Sequence, residues 1–116
     1  MNRRFRLTRS ADFKRVRRLG RSFAHPLIVL IVHPNDLDHP RIAVAASRHV
    51  GKAVKRNRAK RLIKASVQPL LPLISPGWDI LFIARLPMSH ATFQETDQAL
   101  LSLLKKAQLI TNPHVN

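Results

Sequence analysis

The residues best suited to chemistry lie in one run, Gly51-Lys52-Ala53-Val54-Lys55-Arg56-Asn57-Arg58-Ala59-Lys60-Arg61-Leu62-Ile63-Lys64. Placed on a helix at about 100° per residue, Ala59, Leu62, Ile63, Ser66, Val67 and Leu70 share one apolar stripe. Asn57, Lys60, Arg61 and Lys64 fall opposite it, flanked by Lys55, Arg56 and Arg58. Such a helix docks on a core and turns a ridge of cations outward. Like charges at i, i+4, as in Arg56/Lys60 and Lys60/Lys64, repel one another. No acid stands between Val50 and Pro69 to relieve them. A merely solvated helix face normally mixes in acids, whereas this one suits phosphates. Guanidinium forks grip phosphate oxygens and can stack on bases. Asn57 both donates and accepts, so it either reads a base edge or ribose hydroxyl or stands as a plain surface amide.

Hydrolysis by the chain itself finds little support. Two-metal phosphodiester cleavage needs clustered carboxylates. The six acids are Asp12, Asp36, Asp38, Asp79, Glu95 and Asp97. Asp36 and Asp38 sit in turn sequence, and Glu95 and Asp97 at a helix start. The histidines, at 25, 33, 39, 49, 90 and 114, show no metal spacing beyond a weak His33/His39 pair across a loop. Three glycines can scarcely build a phosphate loop. The absence of cysteine excludes disulfides and cysteine zinc sites. No catalytic and no metal-ligating residue is therefore expected.

The elements that must carry the ridge follow from local pattern. Residues 1–9 read as a flexible basic arm. Ser10 is placed to cap a helix from Ala11 to Leu19, with Asp12 suited to its positive end. Phe13, Val16 and Leu19 form a short apolar seam, and Gly20 ends it. Ser22–His33 reads as strand through the β-branched run Leu27–Val32. The turn residues 35–40 lead into a returning strand, Arg41–Ser47. The basic helix runs from Ala53 or Val54 to Gln68, where Pro69 stops it. Asp79–Ala84 reads as strand. Thr92 and Glu95 fit a capping box opening a last helix with Phe93, Leu100, Leu103, Leu104 and Ala107 buried, and 110–116 reads as a flexible tail.

With 116 residues, one domain is the natural expectation. Lys plus Arg number 21 against six acids, a net +15, and the excess is lopsided. Residues 1–64 hold 18 of the bases and three of the acids, while residues 65–116 balance at zero. A polyanion relieves that self-repulsion and releases its own counterions on binding. Solubility alone needs far less charge. The run Leu27–Val32 falls well short of the roughly 20 apolar residues of a membrane span. Met1–Ser22 has the Arg- and Ser-rich make-up of a transit peptide. Its helix signals and direct passage into strand mark it as mature structure instead.

Ser47-Arg48-His49-Val50-Gly51-Lys52-Ala53-Val54-Lys55-Arg56-Asn57-Arg58-Ala59-Lys60-Arg61-Leu62-Ile63-Lys64 resembles the signature of the bacterial ribonuclease P protein family. Leu7–Val16 with Gly20 resembles that family's opening helix, and Trp78–Arg85 its later strand. The resemblance covers nearly the whole chain. It implies an α+β single-domain two-layer sandwich in the order α-β-β-β-α-β-α with a left-handed β-α-β crossover. That fold is similar to a domain of a small ribosomal protein and to one of elongation factor G. A third early strand then requires a break in Ser22–His33, near His25-Pro26.

Matching positions assign contact with the catalytic RNA to Lys52, Lys55, Arg56, Asn57, Arg58, Lys60, Arg61 and Lys64. A cleft between the first helix and the sheet would take the 5′ leader of precursor tRNA, with Phe13, Lys14, Arg17, Ile28, Leu30, Ala45 and Ser47 along it. Phe13 either stacks on a base or serves the core, or does both at a cleft wall. Arg17 and Leu30 stand where relatives can carry aromatics, which makes leader contact more electrostatic. The implied function is that of a cytoplasmic RNA-binding subunit in a ribonucleoprotein that trims precursor tRNA to its mature 5′ end. The catalytic site and magnesium would belong mainly to the RNA, with neither membrane nor obligate protein partner. The rivals are a ribosomal protein or RNA chaperone, a helix-turn-helix DNA binder, and a protein-only nuclease.

Overall fold

The computed structural model describes residues 1–110. Helix α1 spans Ser10–Leu19 and starts one residue earlier than expected. The Arg9 carbonyl already accepts from the Phe13 amide at 3.0 Å, so Arg9 holds the cap position and makes no side-chain cap bond. Ser10 is thus inside the helix. Leu19 is 65 % exposed, so the seam rests on buried Val16 and half-buried Phe13. Gly20 closes α1 for reasons of space. A Cβ there would lie 2.5 Å from the Val16 carbonyl oxygen and 2.6 Å from Ile31 Cγ2.

The expected break at His25-Pro26 is present. Strands β1 (Arg21–Ala24) and β2 (Ile28–Pro34) are antiparallel neighbours. His25 closes their turn: its Nδ1 accepts from the Leu27 amide at 3.0 Å. Strand β3 (Arg41–Ala46) follows the 35–40 turn. Gly51, at φ 136°, allows the chain to swing from the tight turn Arg48–Val50 into helix α2, Ala53–Val67. Pro69 then converts the helix end into the 3₁₀ turn Gln68–Leu73. Strand β4 (Trp78–Ala84) leads to helix α3, Phe93–Lys106. Its capping box is closed in both directions, with Glu95 N–H donating to Thr92 Oγ1 at 3.1 Å and Thr92 N–H to Glu95 Oε1 at 2.9 Å. Phe93 stands outside the helix's buried stripe, 46 % exposed, and Thr96 and Ala99 join Leu100, Leu103 and Leu104 inside.

The sheet order is β1-β2-β4-β3, with β3 parallel to β4 and the other pairs antiparallel. The parallel pair is joined through α2. The chain therefore has the α+β architecture and element order that the resemblance implied. Alternate strand residues point to opposite faces. One face presents Leu30, Val32, Ile80 and Phe82 to α2 and α3, and the main core of 21 buried residues lies there. The other face presents Ile31, Ala43, Ala45, Leu81 and Ile83 to α1, where the buried apolar residues are Leu7, Val16, Ala43 and Leu81.

Residues 1–9 are a packed strap rather than a loose arm. A 3₁₀ turn at Arg3–Phe5 leads to Leu7, 5 % exposed, whose amide donates to the Ile42 carbonyl at 2.9 Å along the outer edge of β3. At the other terminus, Ile110 is buried on the core. The rest of the expected tail, 111–116, lies outside the described residues. Among the described residues no helix is long and apolar enough to cross a membrane.

Candidate nucleic-acid interface

The α2 stripe is buried as its period requires: Ala59, Ile63, Ser66 and Val67 face the core, with Leu62 and Leu70 partly buried. Ser66 Oγ is satisfied by Asp97 Oδ1 at 2.6 Å, which ties α2 to α3. Lys52, Lys55, Asn57, Arg58, Arg61 and Lys64 are exposed, whereas Arg56 and Lys60 are half-buried on one flank. Arg58 is steadied by donating from Nη2 to the Ala91 carbonyl at 2.9 Å.

The electrostatics of this ridge are one-sided. Among the described residues every ion pair lies elsewhere: Arg4 and His39 with Asp38, Arg15 and Arg41 with Asp12, and Arg41 with Asp79. The first turn of α2 has no acid, and Lys52 at its cap position makes no side-chain cap bond. The positive end of the helix dipole therefore adds to Lys52, Lys55 and Arg56 instead of being offset.

The acids are engaged in holding structure. Asp12 and Asp79 share Arg41. Asp38 pairs with His39, whose hydrogen bond holds the Asp38 carboxyl below its ordinary value. Glu95 is held low by the Thr92 amide, and Asp97 accepts from Ser66. His33 lies on β2, and its Nδ1 is buried without a partner. His39 Nδ1 is taken by Asp38 at 2.8 Å. Among the described residues no three His, Cys, Asp or Glu side chains converge to hold a metal ion.

A groove of about 490 Å³ runs between α1, the strap, the β3 edge and α2, with Arg6, Thr8, Phe13, Ala43, Val44 and Lys64 on its walls. It brings Phe13, expected at the leader, close to Lys64, expected at the RNA subunit. Lys14 and Arg17 are exposed on α1, and half-buried Ala45 shares its face of the sheet with Phe13. Ser47 is half-buried past the end of β3, in a separate hollow with Pro26, His49 and Arg85. Its hydroxyl accepts from the His49 amide at 3.2 Å.

Ile28 and Leu30 do not line the cleft. Both are 0 % exposed and belong to the opposite face, where they pair with Ala84 and Phe82. Sheet parity excludes them, because a strand residue cannot serve both faces. Arg6 and Thr8 were not anticipated at the groove. The signal was Leu7, a lone apolar residue in a basic segment that anchors its neighbours there.

Known proteins share this sequence pattern and fold. A family model described as Ribonuclease P matches residues 1–108. The ribonuclease P protein component of Herpetosiphon aurantiacus is 39 % identical over 109 residues, covering 94 % of this chain and 89 % of that protein. That of Clostridioides difficile is 38 % identical over 104 residues, covering 89 % and 91 %. The RNase P protein of Staphylococcus aureus superposes with a TM-score of 0.83 at 31 % identity, over 92 % of this chain and 98 % of that one. The Thermotoga maritima protein does so at 0.78 and 30 %, over 87 % and 96 %. With the family model, both relatives and both structures spanning nearly the whole chain, the chain belongs to the ribonuclease P protein family, the protein components of the tRNA-processing endoribonuclease.

Proposed function

We propose that the α2 ridge binds the catalytic RNA of ribonuclease P and that the α1 groove receives the 5′ leader of precursor tRNA. The observation that carries this reading is the ridge itself, a row of cations on a rigid helix with no acid paired to any of them among the described residues. Lys52, Lys55, Arg56, Arg58, Lys60, Arg61 and Lys64 neutralise phosphates, and Asn57 supplies the one side chain that can also accept a hydrogen bond. Phe13 offers a ring to a leader base, Lys14 and Arg17 meet its phosphates, and Ala45 leaves room for it. Ser47 stands at the far end of β3.

Phosphodiester hydrolysis belongs to the RNA in this reading, and so does magnesium. This chain's described carboxylates do not fit a metal role, since five of the six are engaged by neighbours and Asp36 stands alone in a turn. The protein screens phosphate repulsion, aids substrate binding and so lowers the magnesium requirement.

The test is cleavage of a precursor tRNA by ribonuclease P RNA at low magnesium, with and without the protein. Strong stimulation at the mature 5′ junction, with no cutting by protein alone, is the expected result. A folded protein that binds RNA tightly and gives no stimulation would favour a ribosomal-protein or chaperone role.

A further inference from the structure

A cluster of opposite charges beneath α1 has no part in the contacts proposed above. Asp12, in the first turn of α1, is 9 % exposed, and Asp79, on β4, is 1 % exposed. Arg41 of β3 lies between them. Its Nε and Nη2 donate to the two Asp79 oxygens at 2.8 Å each, and its Nη1 donates to Asp12 Oδ2 at 3.3 Å. Asn35 Nδ2 completes Asp79 at 2.8 Å, and Arg15 Nη1 completes Asp12 at 2.9 Å.

The two halves of this cluster differ in kind. A planar guanidinium held at two points by one carboxylate has a fixed orientation. Arg41 is therefore a rigid part of the sheet, and Asp12 is the group that α1 offers to it. The other fixings of α1 are buried Val16 and half-buried Phe13 on the cluster of Ala43 and Leu81 and the close passage of Gly20 over Ile31 and Val32. Apolar attraction is non-directional, so Val16 and Phe13 hold α1 down without fixing where its first turn stands. Side-chain bulk does not fix it either, because beyond Arg41 itself β3 presents only Ala43 and Ala45 to this face. Burying such charges is a poor way to gain stability compared with apolar packing, so what the cluster adds is placement.

We infer that the Asp12–Arg41 contact sets the spacing between α1 and β3, and with it the width of the groove in which Phe13 stands. Asp12 and Arg41 are thus positioning residues for the leader path. The inference rests on the reading that this groove takes the leader.

The experiment uses the reconstituted holoenzyme and two substrates, a precursor tRNA and the same tRNA lacking its leader. Affinity for each is measured together with affinity of the protein for the RNA subunit. Wild type must bind the precursor more tightly than the leaderless tRNA; if it does not, the leader reading itself fails. Given that difference, Asp12→Asn removes the charge with little change of shape. It should cut the leader-dependent part of the affinity by about tenfold, the scale of a lost charged hydrogen bond. Binding to the RNA subunit should stay within about twofold, because α2 and the far face are untouched. Arg41→Lys keeps the charge but lacks the fork, and should give the same selective loss. A loss shared equally by leader and RNA-subunit binding, or a lower melting temperature with the leader preference intact in both variants, overturns the inference.

Discussion

The two faces of the sheet are built to different rules. Toward α2 and α3, 21 buried residues interlock, and Phe82, Leu100, Leu103 and Leu104 are sealed. Toward α1 only four apolar residues are buried, β3 offers the small side chains of Ala43 and Ala45, and an ionic cluster fixes the helix. Close packing makes the first face rigid and intolerant of voids. The second face is held at a few points and leaves a groove. The same four strands thus serve one side as a foundation and the other as a floor on which a ligand can lie. Rigidity on the first side also keeps the α2 ridge straight, since its apolar stripe is embedded there.

The sharpest break of this contrast is a void on the foundation side. Phe82→Ala should cost about 3–5 kcal/mol in denaturant unfolding and weaken every RNA contact together. A small cost would mean that the face is less tightly packed than its burial indicates. Phe13→Ala, on the other side, should cost less stability and weaken the leader-bearing precursor more than mature tRNA; equal losses would place Phe13 in the core alone. On the ridge, Arg56→Ala and Arg61→Ala should each flatten the salt dependence of RNA binding by about one counterion. An unchanged slope in both would mean that the ridge faces away from RNA.

The smallest effect is expected where neither face is involved. Thr92→Ala should cost about 1 kcal/mol through the lost cap and leave RNA binding unchanged. Its pH dependence has a sign. The Thr92 amide lowers the Glu95 carboxyl from its ordinary 4.5. The capping contribution is therefore present above that value and fades as pH falls through the lowered one. Thermal melts of wild type and Glu95→Gln, which removes the titrating carboxyl while Thr92→Ala keeps the amide, should therefore differ at neutral pH and converge at the acid end.

How much of this was legible in the chain depends on whether the deciding contacts are local. The α2 ridge, the Pro69 stop and the Thr92–Glu95 box all follow from residues a few positions apart, and they stand where the pattern put them. The break at His25-Pro26 is implied only by the family resemblance. The family resemblance places Ile28 and Leu30 at the cleft, and Leu27–Val32, apolar at every position, offers no pattern against which to check it. A strand covered on both sides has no alternation from which to read parity. Only the docking of α1 decides it. Phe93 fits the period of α3 but lies in its first turn, where the core no longer reaches. The Asp12–Arg41–Asp79 cluster joins residues 29 and 38 positions apart, and nothing local marks such a meeting. The strap was missed for the same reason, since Leu7 finds its partner at Ile42.

That strap bears on the chain's life before it meets RNA. An edge strand with free amides and carbonyls is a template on which a second molecule can add its own strand, the first step toward aggregates. Strand β3 is such an edge. The Leu7 amide already occupies the Ile42 carbonyl, so an incoming strand would have to peel the strap away to run along β3. Removing the chain through Leu7 would uncover that edge, and raised salt, which screens the repulsion between highly charged copies, would then favour their association.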